Sequence, residues 1–490
     1  MTMKLDRRTF LRSSALAAAA TALPWTQTTK PVWAQEANDR LRMGCIGVGS
    51  MGRGDAHGFN HLCDIVAICD LDEDYGLGRT LRSGIGKKNE NGETIAPDAY
   101  KDYRRILERD DIDVVTVVTP DHWHVKIAVE ALQAGKHVFC QKPLTLTLEE
   151  NQIIRKAVEK YGKTFQVGTQ QRSQRDQFAL ATLIVRAGML GDITKVVCDI
   201  GTPPICDSDI PQMDPPENFD WNTYLGQAPY TEFLGDGDFL ASNNNDNRYG
   251  RTRCHYEFRW WYEYSGGKFT DWGAHHIDSA LWAMGLDKFG TGPTKIDGTN
   301  AKHPVPFKDG YPTVNNRYNT SHEFDVVLQL TNGCEMHVVN DSPDGNGILF
   351  EGTKGRMHVN RGRCKGKIIE ELFPPKPEPQ PVPEGENAAQ QPVPEPEPPF
   401  SQEQYDALYN GKPFEGHKEN FIRCIREGGK PVSDVWSHAQ ALNCCHLAAI
   451  AARLGREIEW DVNEEKIVGD EQAASFFARV QRKGFEIPRD

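Results

Sequence analysis

Three groups of residues in this 490-residue chain have types and spacings that could do chemistry. They are a glycine trio near the start, a lysine at position 142, and a run of acids and histidines from 271 to 278. Gly47, Gly49 and Gly52 form Gly-x-Gly-x-x-Gly between a strand-like run, Leu41–Gly47, and a helical pattern that begins near Met51. There the first glycine permits a tight turn, the second lets backbone approach a pyrophosphate, and the third lets the helix pack close to the strand. Free amides around Ser50 and Met51, with the helix dipole, would favour an anion. Asp70 closes the next apolar run, Asp64–Cys69, 18 residues after Gly52. An acid there accepts from ribose hydroxyls and repels a 2′-phosphate, and Asp72 and Glu73 add to that repulsion. The expected cofactor is therefore NAD rather than NADP.

Lys142 follows a short apolar run, His137–Cys140. At the carboxyl edge of a parallel sheet a lysine can polarise a substrate oxygen or shuttle a proton. Asp271 and His275 are four apart, and His275 and Asp278 three apart. If the chain is helical from Gly273, they share one face, and a carboxylate there would fix the imidazole's tautomer and raise its basicity. The reading is His275 as acid/base, Asp271 as its partner and Lys142 as electrostatic helper. His276 points ~100° away and is a substrate contact at most. Trp261 and Tyr262 could stack on a sugar face or fill a core. Arg172 is expected to enter a substrate cleft, as is Asp278. His122 and His124 flank Trp123, but no carboxylate or cysteine pattern accompanies them, so no metal is expected and Asp121 is read as a helix cap.

The elements that must position these residues read as alternating strands and helices from about 38 to 168, which predicts a parallel sheet with crossover helices. Beyond it, alternating patterns such as Lys195–Ile200 and Glu323–Leu330 predict an open, mostly antiparallel sheet, with helices at Phe414–Gly428 and Val435–Gly455. The fold class is α/β, with a dinucleotide-binding domain at 38–168 and a substrate and oligomerisation domain at 169–490. Residues 374–399 hold eleven prolines among Glu and Gln, the composition of an exposed polyproline arm.

The net charge of −13, with no dense basic tract, argues against nucleic acid. Asp6-Arg7-Arg8-Thr9-Phe10-Leu11, an Ala-rich run and Val32-Trp33-Ala34 read as a twin-arginine export signal over residues 1–34. The apolar run is too short to span a bilayer, so no stable membrane insertion is expected. Twelve cysteines without a Cys-x-x-Cys pair are expected to be mostly buried thiols.

Several strings resemble the Gfo/Idh/MocA oxidoreductases, the family of glucose–fructose oxidoreductase and inositol dehydrogenase. They are Thr119-Pro120-Asp121-His122-Trp123-His124, Gln141-Lys142-Pro143, Asp271-Trp272-Gly273-Ala274-His275-His276-Ile277-Asp278 and the ending Gly455-Arg456-x-Ile458-x-Trp460-Asp461. The resemblance implies an active site between the two domains and pyranose or cyclitol substrates. It also implies a homo-oligomer (dimer or tetramer), and it places Thr119, Pro120, His124, Gln141 and Gln170 on the cofactor. The family commonly has Glu where this chain has Gln141. An exported enzyme finds no free nicotinamide pool in the periplasm, so the dinucleotide would leave the cytoplasm with the protein and be recycled in place. Three activities stay open: a sugar or polyol oxidoreductase, a redox-neutral NAD-dependent glycosidase or lyase acting on a glycoside, and a non-catalytic exported sugar-binding protein.

Overall fold

The computed structural model describes residues 40–236, 250–374 and 398–489. Residues 1–34, expected from the sequence to be an export signal, and residues 375–397 of the proline-rich insert lie outside them. Six strands form the first sheet: β1 (Arg42–Ile46), β2 (Asp64–Cys69), β3 (Asp98–Tyr100), β4 (Val114–Val117), β5 (His137–Cys140) and β6 (Phe165–Val167). Their order is β3-β2-β1-β4-β5-β6, and every pairing is parallel. Strands β2 and β4 are buried at every position, as near-continuous apolar runs must be when helices cover both faces. The chain leaves β1 for β2 on one side and reaches β4 on the other. The carboxyl end of β1 is thus the switch point where such sheets open a ligand crevice.

Helix α1 (Ser50–Phe59) connects β1 to β2, α2 (Asp121–Gln133) connects β4 to β5, and α3 (Leu148–Tyr161) connects β5 to β6. The Thr147 side chain caps α3 by accepting from the Glu150 amide, and Gly162 ends it in the left-handed region at φ +61°.

The second sheet has nine strands: β7 (Ile193–Asp199), β8 (Pro293–Lys302), β9 (Glu323–Leu330), β10 (Glu335–Val339), β11 (Gly347–Gly352), β12 (Gly355–Val359), β13 (Cys364–Lys365), β14 (Glu457–Asp461) and β15 (Lys466–Val468). In the order β13-β12-β11-β7-β10-β9-β8-β14-β15, only the β7–β10 pair is parallel. In β9 the alternation buries Phe324, Val326, Leu328 and Leu330 in the core. Helices α4 (Gly273–Met284) and α5 (Val435–Leu454) pack on that side, and α5 is apolar around most of its circumference because it is enclosed.

Helix α5 also ties the two sheets together. Its Asn443 accepts from the Asn151 side chain at 2.8 Å, and its His446 bonds the Thr145 hydroxyl at 2.9 Å. One continuous core runs through both sheets, within the unit Leu41–Asp490. This packing holds the loop after β5, which carries Lys142, against the start of α4. No disulfide links the twelve cysteines among the described residues, and all but half-buried Cys364 are buried; burial pushes the Cys45 thiol up to about 12.

Candidate active site

Gly47 has φ +77°, and its N–H donates to the Cys69 carbonyl at 2.8 Å, which folds the turn back on β2. A Cβ on Gly52 would lie 1.8 Å from the Gly47 oxygen, so only glycine lets α1 approach the strand. A Cβ on Gly49 would meet only the Tyr75 ring, at 3.3 Å, so here the absent side chain leaves room for a ligand rather than for the fold. The first turn of α1 has no acidic residue and no side-chain cap, which leaves its amides for an anion.

A cavity of about 490 Å³ starts at this turn, lined by Gly47, Gly49, Ser50, Met51 and Gly52. It passes Asp70, Thr119, Pro120, His124 and Gln141 and reaches Lys142. Phe219, Tyr224, His255, Phe258, Arg259 and Phe485 form the opposite wall. Among the described residues, the Thr119 hydroxyl and His124 Nε2 are buried in this wall without a partner. His124 Nδ1 donates to the Pro143 carbonyl at 2.7 Å, so Nε2 is a bare acceptor; burial pushes this imidazole down to about 4 and keeps it neutral. A glycine cradle, free helix amides and unsatisfied polar atoms along one cavity fit a dinucleotide.

Asp70 also holds the turn itself. Its two oxygens accept from the Val48 amide at 2.8 Å and the Asp72 amide at 2.9 Å. Burial pushes its carboxyl up to about 6 against those bonds. A carboxylate has about four acceptor positions, so capacity for ribose hydroxyls remains. Gln141 is committed elsewhere: its Nε2 donates to Asp55 at 2.6 Å and its Oε1 accepts from the Lys142 amide at 3.2 Å. Gln170 opens a short turn, Gln170–Ser173, and does not line the cavity.

Of the three catalytic candidates, Lys142 and Asp271 meet; Lys142 lines the cavity, whereas Asp271 and His275 are not among its lining residues. Lys142 Nζ donates to the Asp271 carboxylate at 2.7 Å and to its carbonyl at 2.9 Å, and both side chains are about nine-tenths buried. Arg259 Nε lies 3.5 Å from the same carboxylate. Burial opposes the charge on Asp271, but Lys142 and Arg259 hold its carboxyl well below the usual range. Asp271 is therefore the partner of Lys142, not of His275. It sits in a separate turn, Lys268–Asp271, with Trp272 between that turn and α4. His275 is 5% exposed and its Nδ1 has no partner among the described residues. Its basicity is lowered, not raised: burial, then Lys142 and Arg361, push it well below the ordinary range. It is a neutral imidazole beside a cationic lysine.

Four other expectations change. Arg172 and Asp278 form a buried bidentate ion pair at 2.7 and 2.8 Å, joined by Asp287 and the Val432 carbonyl, so neither faces the cavity. Trp261 is fully buried, its indole N–H donates to the Thr252 carbonyl at 2.8 Å, and Arg253 stacks on its ring. Tyr262 directs its hydroxyl to His303 and Ser321, and Arg453 covers its ring. Asp121 lies in the first turn of α2 but caps nothing; its buried carboxyl is pushed up to about 7 by desolvation. His276 Nε2 donates to Asn346 Oδ1 at 3.1 Å. His122 donates to the Tyr224 carbonyl at 2.8 Å within an aromatic cluster, and no group of three metal-ligating side chains occurs among the described residues.

The sequence reading missed Arg259 and His255. Both lie in the aromatic stretch after residue 249, where no spacing ties them to the glycine turn. His255 bonds Asp72 at 3.0 Å and has φ +50°, an unusual backbone for a non-glycine residue.

Residues 41–169 match the oxidoreductase family model described as the Gfo/Idh/MocA family with an NAD-binding Rossmann fold. This segment carries that family's nicotinamide-dinucleotide-binding fold. The chain is also 33% identical over 210 residues to a glycosyl hydrolase family 109 protein of Shewanella pealeana, covering 39% of this chain and 45% of that protein. The match thus spans less than half the length of that relative. Two solved structures share the fold at a TM-score of 0.52: an NAD-binding protein from Listeria innocua, 17% identical, over 86% of this chain and 99% of that one; and the WlbA dehydrogenase of Bordetella pertussis in complex with NADH and UDP-GlcNAcA, 18% identical, over 86% and 97%.

Proposed function

We propose that this chain is an NAD-dependent oxidoreductase acting on a secondary alcohol of a sugar or polyol, with its dinucleotide held as a resident group. The observation that carries this reading is Lys142, ion-paired to Asp271 and lining the same cavity as the glycine turn. A bound nicotinamide supplies hydride acceptance. Gly49, the amides of Ser50 and Met51, Asp70, Thr119 and His124 would hold it, and Asp70 favours NAD over NADP. Lys142 Nζ, oriented by two bonds to Asp271, presents its remaining N–H to the substrate oxygen and steadies developing negative charge. Buried His275, whose Nδ1 has no partner among the described residues, is assigned to take the hydroxyl proton, although it is not among the residues that line the cavity. Phe219, Tyr224, His255, Phe258, Arg259 and Phe485 wall the cavity on its far side, which supports slow exchange of the cofactor.

The test is the absorbance of purified protein in the reduced-nicotinamide band before and after sugars are added. Release of no dinucleotide on denaturation would refute the resident cofactor. Lys142→Ala and His275→Ala should abolish turnover while retaining dinucleotide; near-normal rates in both would refute the assignment.

A second reading, a redox-neutral glycosidase, draws support from the family 109 relatives and from Asp121. Its buried carboxyl, pushed up to about 7 and lining the same cavity, is a further group able to exchange a proton near neutrality. Release of aglycone from glycosides with no net change in bound nicotinamide would select this reading. Export by the twin-arginine route and a dimeric or tetrameric assembly are part of the proposal. Cell fractionation of an Arg7→Lys, Arg8→Lys variant and light scattering test them.

A further inference from the structure

The region around Asp271 holds more positive charge than the chemistry above uses. Lys142 and Arg259 reach the Asp271 carboxylate at 2.7 and 3.5 Å. Two more cations flank the next residue. The Arg361 guanidinium lies 4.6 Å and the Lys268 ammonium 5.9 Å from the centre of the Trp272 ring. Among the described residues, neither Lys268 nor Arg361 has a carboxylate within 4 Å.

Lys268 faces Lys142 and Arg259 as like charges, and Asp271 and Asp199 as opposite ones. Among the acidic groups of the described residues, Asp271 is the one that acts on Arg361. With the Gln171 amide oriented to satisfy both of its atoms, Arg361 Nε donates to its oxygen at 3.2 Å. The two terminal nitrogens then remain as a fork. Buried His275 feels both Lys142 and Arg361. Its Nδ1 lacks a partner. Lys268 is half-buried and Arg361 exposed, so the positive charge gathered around Asp271 stays within reach of an anion from solvent.

We propose that Lys268 and Arg361, both over the Trp272 ring, form an anion subsite, and that the substrate is a sugar acid. Its carboxylate sits on these two cations while the hydroxyl to be oxidised faces Lys142 and His275. The fate of that hydroxyl rests on the oxidoreductase reading above; the subsite does not. Two parallel N–H bonds from an arginine fork match the two oxygens of a carboxylate.

The test is calorimetric binding of methyl glucuronide, methyl glucoside and glucose 6-phosphate to the holoprotein at low and high ionic strength. The acid should bind about tenfold or more tighter than the neutral glycoside, and salt should erode the difference. Lys268→Met and Arg361→Met should each weaken the acid about tenfold and leave the neutral glycoside within about twofold. Arg361→Lys should recover part of the loss. Equal binding of acid and neutral glycoside, stronger binding of the phosphate, or equal losses for all ligands in the variants would overturn the subsite. Bleaching or growth of the nicotinamide band is read separately. Preferred binding of the acid without any absorbance change would leave the subsite standing and remove the oxidoreductase reading.

Discussion

Alanine substitutions at three glycines of one turn and helix should separate folding from cofactor binding. At Gly52 a Cβ would stand 1.8 Å from the Gly47 oxygen, whereas an ordinary contact needs more than ~3 Å. Helix α1 must therefore move away from the strand by roughly 1 Å, at a cost of about 1–3 kcal/mol for overpacking. The same shift draws the α1 amides off the pyrophosphate. Each charge-assisted bond lost is worth about 1.5–3 kcal/mol, or about 10- to 100-fold in affinity. Gly52→Ala should therefore unfold at lower urea and purify without dinucleotide. Gly49→Ala should fold nearly as wild type, since its Cβ meets only the Tyr75 ring at 3.3 Å, yet it should lose dinucleotide because the methyl group occupies the ligand's approach. Gly54 has nothing within 4 Å of its Cβ, so Gly54→Ala should keep dinucleotide and gain up to ~1 kcal/mol from helix propensity. Urea midpoints and mass analysis of denatured protein read both quantities. Wild-type stability and dinucleotide content in Gly52→Ala would refute this account of the turn, as would equal damage from Gly54→Ala.

Three further outcomes are expected. Burial opposes charge on His255, but Cys254 and the Asp72 carboxylate hold it up to about 9, so its raised value stabilises the fold fully below pH ~6.5 and the contribution disappears as pH rises through about 9. At roughly 1.4 kcal/mol per pH unit, the stability gap between wild type and His255→Gln should be on the order of 2–3 kcal/mol at pH 6 and close to zero at pH 10; a gap independent of pH would remove the ion pair from the explanation. Arg172→Met should lose about 3–5 kcal/mol of stability by stranding Asp278, which is fully buried, whereas a stable variant with only a raised KM would return Arg172 to the substrate. Asp271→Asn should lower kcat at least about tenfold while dinucleotide is retained, because it removes the charge that orients Lys142; an unchanged kcat would make that ion pair merely structural.

Much of the frame was legible in the sequence because it rests on local rules. The runs Asp64–Cys69, His137–Cys140 and Glu323–Leu330 occur as strands with those bounds, since a buried parallel strand or an alternating antiparallel one leaves its period in the residues themselves. The glycine turn was legible because each glycine answers a steric demand. The partner of Asp271 was not. Spacing of four suggested His275, but Trp272 separates the turn at Lys268–Asp271 from α4, and the lysine that claims the carboxylate is 129 residues away. Arg172 and Asp278 failed for the same reason: two polar residues in motif-like strings satisfied each other across 106 residues. Long-range charge pairing leaves no periodic trace, and it decides which polar residues stay free for a ligand.

The departure at Gln141 follows from that same long-range logic. Its amide nitrogen lies 2.6 Å from Asp55, on α1, and Asp55 is also paired with Lys418 at 2.9 Å. A glutamate at 141 would press a second carboxylate against Asp55 in a buried place, where two like charges cannot both stay ionised without large cost. The amide turns that repulsion into a donor bond and still accepts from the Lys142 backbone. In this chain Asp55 supplies negative charge close to position 141, with Lys418 to neutralise it. Gln141→Glu should therefore destabilise the fold, and adding Asp55→Asn should restore most of the loss. A stable, active Gln141→Glu single variant would show that the two positions are not coupled.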